Sequence, residues 1–215
     1  MPRKRAAAAL GALHRRITGA PGAHLWLAAL FVTTVLPHAL PASGGFLRPR
    51  STGLQELAQH PVRALTAGAL WTDGVPWLAY AALFTLVHAT AEHWLGTPRW
   101  VCVAVLAQTV PVLLFERVLN WLVRHGHTPE ASFNSLGIDA GYGLAGAAAV
   151  LTYRIPRIWR YPYVFAVLVF FGVLLAGGRS FVGPGHVVAA LTGLACLPLT
   201  RTAGSLRKTE HPSAQ

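Results

Sequence analysis

WVCVAVLAQTVPVLLFERVLNWLV, residues 100–123, outlasts the ~20 apolar residues that a helix needs to cross a bilayer, and its two charges, Glu116 and Arg117, are neighbours near its far end. Nothing in it alternates with period two, so it predicts a helix, and a polar face wide enough for water is missing. Five further apolar runs flank it: Leu25–Leu40, Val75–Leu95, Leu136–Tyr153, Tyr161–Ala176 and Pro184–Thr200. Turn residues punctuate them, with Gly96 and Pro98 after the second, Gly126 and Pro129 after the third, Pro156 and Pro162 around the fifth's start, and Gly183 and Pro184 before the sixth. The fold class expected is all-α, a polytopic membrane protein of six transmembrane helices.

Composition agrees. Apolar residues make up 53% of the 215-residue chain and charged residues 12%, against roughly 25% charged in soluble domains. So few charges cannot coat a water-facing surface, and the mean hydropathy is +0.46. The net charge of +11 would suit nucleic acid, but the basic residues sit in tails and short loops between apolar runs, so no nucleic-acid partner is expected and the lipid bilayer is. With both tails on one side, twelve basic residues fall on the tail side and six on the other. The positive-inside rule then puts both termini in the cytoplasm of a multi-pass protein of the cell membrane. The domain division expected is a basic tail over 1–23, a six-helix membrane domain over 24–200, and a second basic tail over 201–215. The basic start, first run and Ala39–Ala42 also satisfy a signal-peptide pattern; an uncleaved span is preferred because further spans follow. Residues 53–71 predict an amphipathic helix at the interface.

Cys102 and Cys196 lie in apolar runs without metal spacing, and His125-Gly126-His127 lacks further ligands. No metal site is expected, and no nucleotide or cofactor motif is present, so no cofactor is expected.

Ionisable groups inside spans are expensive in lipid and carry the functional information. His88 and Glu92 fall in the second run, Asp139 in the fourth and His186 in the sixth. Asp139 and His186 begin stretches of small residues: Gly137, Gly141 and Gly146 in one, Ala189 and Gly193 in the other. His186, Ala189 and Gly193 share one helix face (i, i+3, i+7). Small residues let two helices approach closely, so the fourth and sixth helices are expected to be neighbours, with Asp139 and His186 as a polar pair. That pair is either packing glue or a functional site.

Over roughly residues 60–195 the chain resembles the rhomboids, the intramembrane serine protease family. His186-Val-Val-Ala189-Ala-Leu-Thr-Gly193 is similar to the family's His-x-x-Gly-x-x-x-Gly on the sixth helix, and Glu92-His-Trp-Leu95-Gly96 is similar to its Glu-x-x-Leu-Gly at the end of the second. The resemblance implies a six-helix rhomboid-like bundle with His186 at the general-base position. It also implies a Gly-x-Ser-Gly nucleophile on the fourth helix and an oxyanion His and Asn on the second. Here Pro76 and Tyr80 stand at the two oxyanion positions, and Ile138, Ala140 or Gly141, depending on register, at the nucleophile. None of these three can attack a carbonyl. The expectation is a pseudoprotease that binds transmembrane segments of client membrane proteins. Two alternatives remain open: an active intramembrane endopeptidase with a displaced Ser135–His186 dyad, and a small transporter or proton-handling protein using Asp139 and His186.

Overall fold

The computed structural model describes residues 19–34, 59–70, 77–127, 140–177 and 182–201. Ser135, Asp139, Gly137 and Pro76, and most of both tails, lie outside these residues. Among the described residues there are eight α-helices and no strand. They are α1 (Pro21–Thr34), α2 (Pro61–Ala69), α3 (Trp77–Phe84), α4 (Thr90–Leu95), α5 (Thr97–Arg124), α6 (Gly141–Val150), α7 (Arg157–Gly177) and α8 (Val182–Ala195). A π-turn, Thr85–Ala89, joins α3 to α4 without leaving helical dihedrals, and a 3₁₀ turn, Leu151–Tyr153, follows α6. Each of the six apolar runs therefore carries a helix.

Proline and glycine set the boundaries. Pro61 stands in the first turn of α2 and Pro98 in the first turn of α5, where a missing N–H costs nothing. Gly96 ends α4 at φ +81°, a conformation that penalises any side chain, and α5 begins one residue later. Pro198 has no N–H for the carbonyl of Leu194, four residues back, and the Tyr153 hydroxyl donates to that carbonyl instead. The Tyr163 hydroxyl likewise donates to the Ala148 carbonyl near the end of α6 (2.9 Å). Helix ends left open by the chain are thus closed by side chains from other helices.

By length and composition, one helix among the described residues, α5, is long and apolar enough to cross a membrane. Its faces differ in burial more than in chemistry. Val103, Ala107, Val112 and Leu119 are buried, while Val105, Leu114 and Val118 are exposed. Exposed apolar side chains continue on α7 with Phe165 and Val173, both about two-thirds exposed. A water-soluble protein does not leave such patches open.

The centre of the bundle is α6. Every residue from Gly141 to Val150 is buried, and α5, α7 and α8 all pack on it. A helix enclosed on all sides needs no polar face, which suits GYGLAGAAAV. Its small residues admit close neighbours in several directions. A Cβ on Gly143 would lie 2.7 Å from the Trp26 ring of α1, and one on Gly146 would strike the Ala107 Cβ of α5. A Cβ on Gly193 of α8 would collide with the Gly146 backbone. α6 and α8 therefore touch backbone to backbone through Gly146 and Gly193, with Ala189 fully buried beside them.

Candidate functional site

Two polar clusters lie inside this bundle. The first surrounds His186, on the second turn of α8 and 8% exposed. Its ring stacks nearly parallel on Phe171 of α7, with centroids 5.6 Å apart and planes at 10°. The Tyr142 ring of α6 meets it edge-on at 5.1 Å and 78°. Gly185 permits this, since a Cβ there would collide with the Tyr142 hydroxyl end. On the other side of α6, the buried Gln108 of α5 accepts a hydrogen bond from the Gly143 N–H (3.2 Å). The His186 imidazole thus meets two aromatic rings, Phe171 face-on and Tyr142 edge-on. Asp139 and Ser135, its prospective partners, are outside the described residues; the next residue, Ala140, is fully buried.

The second cluster is built on the second helix. Glu92 is 1% exposed and reaches across to the N-terminus of α1. Its carboxylate accepts the N–H of Gly22 at 3.0 Å, the N–H of Ala23 at 2.6 Å, and the Thr97 hydroxyl at 2.8 Å. The negative charge at a helix start, bonded to two otherwise orphaned amides, is the favourable placement for a carboxylate. Gly22 leaves space for it, because a Cβ there would stand 2.9 Å from Glu92 Oε1. The Glu92, Leu95 and Gly96 positions now have separate physical roles. Glu92 ties α1 to α4, Leu95 is buried, and Gly96 makes the left-handed turn.

One turn earlier, His88 in the π-turn is completely buried. Its Nδ1 accepts the Trp100 indole N–H at 3.0 Å, which places the imidazole proton on Nε2. Among the described residues Nε2 has no hydrogen-bond partner. Phe84 stacks on the ring at 4.2 Å, and Trp26 meets it edge-on at 5.0 Å. Tyr80 is a buried member of the same aromatic column, 5.9 Å from Phe84. Sequence reasoning marked His88 as costly in lipid but gave it no role. The available signal was the spacing of Trp77, Tyr80, Phe84 and His88 (i, i+3, i+7, i+11), an aromatic stripe on one helix face. A π-turn inside an α-helix frequently accompanies a functional site. Trp100→Phe keeps a ring in place and removes the donor to His88. We expect it to cost about 1–3 kcal/mol, the penalty for stranding a buried acceptor, seen as a lower thermal midpoint of the purified protein in detergent. An unchanged midpoint would show that the bond contributes nothing.

His125 and His127 sit at the end of α5 against Trp121, which stacks on His127 at 5.8 Å, while His125 Nδ1 lies 2.8 Å from the Trp121 carbonyl. Among the described residues no group of three His, Cys, Asp or Glu side chains is placed to hold a metal ion.

Compared with known families, the chain matches the family model described as rhomboid-like protein over residues 15–206. The chain belongs to the rhomboid-like protein family. It is accordingly a rhomboid-like membrane protein, and both clusters lie within the matched range. No curated protein and no solved structure matches it.

Proposed function

We propose that this rhomboid-like protein is a non-proteolytic, six-span protein of the cell membrane that binds transmembrane segments of client membrane proteins. In this reading residues 24–200 form the membrane domain, and the basic tails 1–23 and 201–215 lie in the cytoplasm. The observation that carries it is the state of the base position. The chain has no Gly-x-Ser-Gly sequence, and His186 sits against the Phe171 and Tyr142 rings. Acyl transfer needs a nucleophile within reach of its base and donors aimed at the oxyanion. Pro76 has no side-chain donor, and Tyr80 is packed into the aromatic column. The lipid-facing apolar surfaces of α5 and α7 are suited to docking another helix, where packing and small residues supply the affinity.

The test uses the full chain in proteoliposomes with a dye-labelled single-span peptide. The expected result is saturable energy transfer from labelled protein to the intact peptide. Cleavage that disappears in Ser135→Ala would replace this reading with the displaced-dyad protease. Absence of saturable transfer with intact peptide would remove client binding. Proton flux abolished by Asp139→Asn would favour the transporter reading.

A further inference from the structure

Ile158, Tyr161, Phe165, Val169 and Val173 of α7 are all exposed, and their spacing (i, i+3, i+7, i+11, i+15) makes them one continuous stripe of the helix. From Phe165 onward the stripe is apolar, and such a row of bare side chains belongs in hydrocarbon. The first turn of α7 does not. Pro162, inside the helix, has no N–H for the carbonyl of Ile158 four residues back, and a carbonyl deprived of its helical donor is costly away from water. Beside it stand Trp159 and Tyr161, 64% and 76% exposed, the two residue types that settle at headgroup level. From Arg157 to Tyr161 the helix rises about 6 Å, close to the roughly 5–8 Å of headgroup region on each side of a bilayer's hydrocarbon.

Three arginines gather at this level. Arg154 donates to the Thr90 carbonyl at 3.3 Å and so ties the turn before α7 to α4. Arg157 is exposed, and among the described residues no hydrogen bond or ion pair engages its side chain. The Arg160 guanidinium lies 5.8 Å over the Tyr153 ring, and its buried Nε has no hydrogen-bond partner among the described residues. The carboxylates among the described residues are Glu92 and Glu116. Glu92 is buried and spent on Gly22, Ala23 and Thr97. Glu116 lies roughly 28 Å along α5 from Thr97. No protein anion therefore answers Arg157 and Arg160, and the positive end of the α7 dipole adds to their charge. A guanidinium on a long stem can reach out and grip a phosphate with two parallel hydrogen bonds. We propose that the first turn of α7 is a docking surface for anionic phospholipid, with headgroup phosphates held by Arg157 and Arg160. The continuity of Tyr161 with Phe165 selects the lipid: a soluble acidic partner would answer the charges, but only a bilayer also covers the stripe that runs on from them. Net charge selects the anionic headgroup, since choline cancels the phosphate it carries. This surface rests on the membrane setting of the family and is independent of whether the protein binds client helices.

The test is photo-crosslinking of the full chain in phosphatidylcholine liposomes. These carry a trace of photoreactive phosphatidylglycerol or phosphatidylcholine with the reactive group next to the glycerol, and labelled residues are mapped by peptide mass spectrometry. We expect labelling of residues 155–163 to favour phosphatidylglycerol by about fivefold or more, the factor by which one basic side chain near the surface attracts an anionic lipid. The double variant Arg157→Gln/Arg160→Gln is expected to label equally with both lipids. Arg157→Gln alone, at an exposed position, is expected to weaken the preference and covers the case in which loss of Arg160 from the Tyr153 ring unfolds the double variant. Arg124→Gln, at the far end of α5, is expected to leave the preference unchanged. Equal labelling of 155–163 by both lipids in the wild type would overturn the proposal, as would a preference that survives in the folded double variant. Labelling of α5 without labelling of 155–163 would put the turn outside the headgroup region and overturn it too. Displacement of the phosphatidylglycerol label by a soluble acidic peptide at physiological salt would assign the arginines to a protein partner instead.

Discussion

Gly193→Leu is expected to abolish the native bundle. A Cβ at this position falls on the carbonyl oxygen, carbonyl carbon and Cα of Gly146. The obstacle is backbone, so no rotamer change relieves it, and α6 cannot retreat because α5 meets its other side at Ala107. Overpacking a filled core costs about 1–3 kcal/mol where side chains can adjust. Here the helices must separate, and we expect a loss of about 3 kcal/mol or more, at the exceptional end for a single substitution. Gly193→Ala is expected to show the same defect in milder form. Leu191→Ala, two residues away at a half-exposed position, is the control and should stay within about 0.5 kcal/mol of the wild type. The measurement is thermal unfolding in detergent followed by circular dichroism. A wild-type midpoint in Gly193→Leu would mean that α6 and α8 do not meet as described.

Glu92→Ala is expected to be the next most damaging change. It removes a buried carboxylate that accepts three hydrogen bonds and leaves the Gly22 and Ala23 amides without their acceptor at the start of α1. Losing a helix cap costs about 0.5–2 kcal/mol, and hydrogen bonds to a charged group contribute about 1.5–3 kcal/mol each. These are coupled through one side chain and do not add fully, so a total of about 2–4 kcal/mol follows. Glu92→Gln keeps an acceptor oxygen but turns an amide NH₂ toward one of the donors, so its loss is expected to lie between those of the wild type and Glu92→Ala. Hydrogen exchange gives the decisive local readout. Amides at the start of α1 should exchange faster in both variants, while those in the middle of α8 change less. Equal acceleration along the whole chain would mean that Glu92 acts on global stability and not through the α1 cap.

Much of this architecture is written in periodicity and punctuation. Residues 100–123 predict α5 nearly to its ends, because the long apolar run is bounded by Gly96-Thr-Pro98 and Gly126. The first apolar run starts at Leu25, yet α1 begins at Pro21, where a carboxylate some seventy residues along the chain caps it. No local pattern contains that bond. The fourth apolar run ends at Tyr153, whereas the regular α-helix ends at Val150, and the tightening at Leu151 has no sequence marker. At the candidate site, the spacing of His186, Ala189 and Gly193 was legible as one helix face. The Phe171 and Tyr142 rings around His186 were not, because each comes from a different helix. Of the three partners of Glu92 only Thr97, five residues on across the Gly96 turn, is local in sequence.

The complete enclosure of α6 bears on how the protein enters its membrane. Ala and Gly give a segment little of the transfer energy that Leu, Ile, Phe and Val provide to an inserting helix, and GYGLAGAAAV has one Leu and one Val. A helix of this kind gains its place from neighbours and not from lipid. During synthesis α5 is made before it, but α8, whose Gly193 closes the other side, emerges some forty residues later. α6 must therefore wait, loosely held, until the end of the chain arrives. In the proposed six-span arrangement, lesions in α8 would then register first as failed insertion of the fourth span, before they register as lost stability.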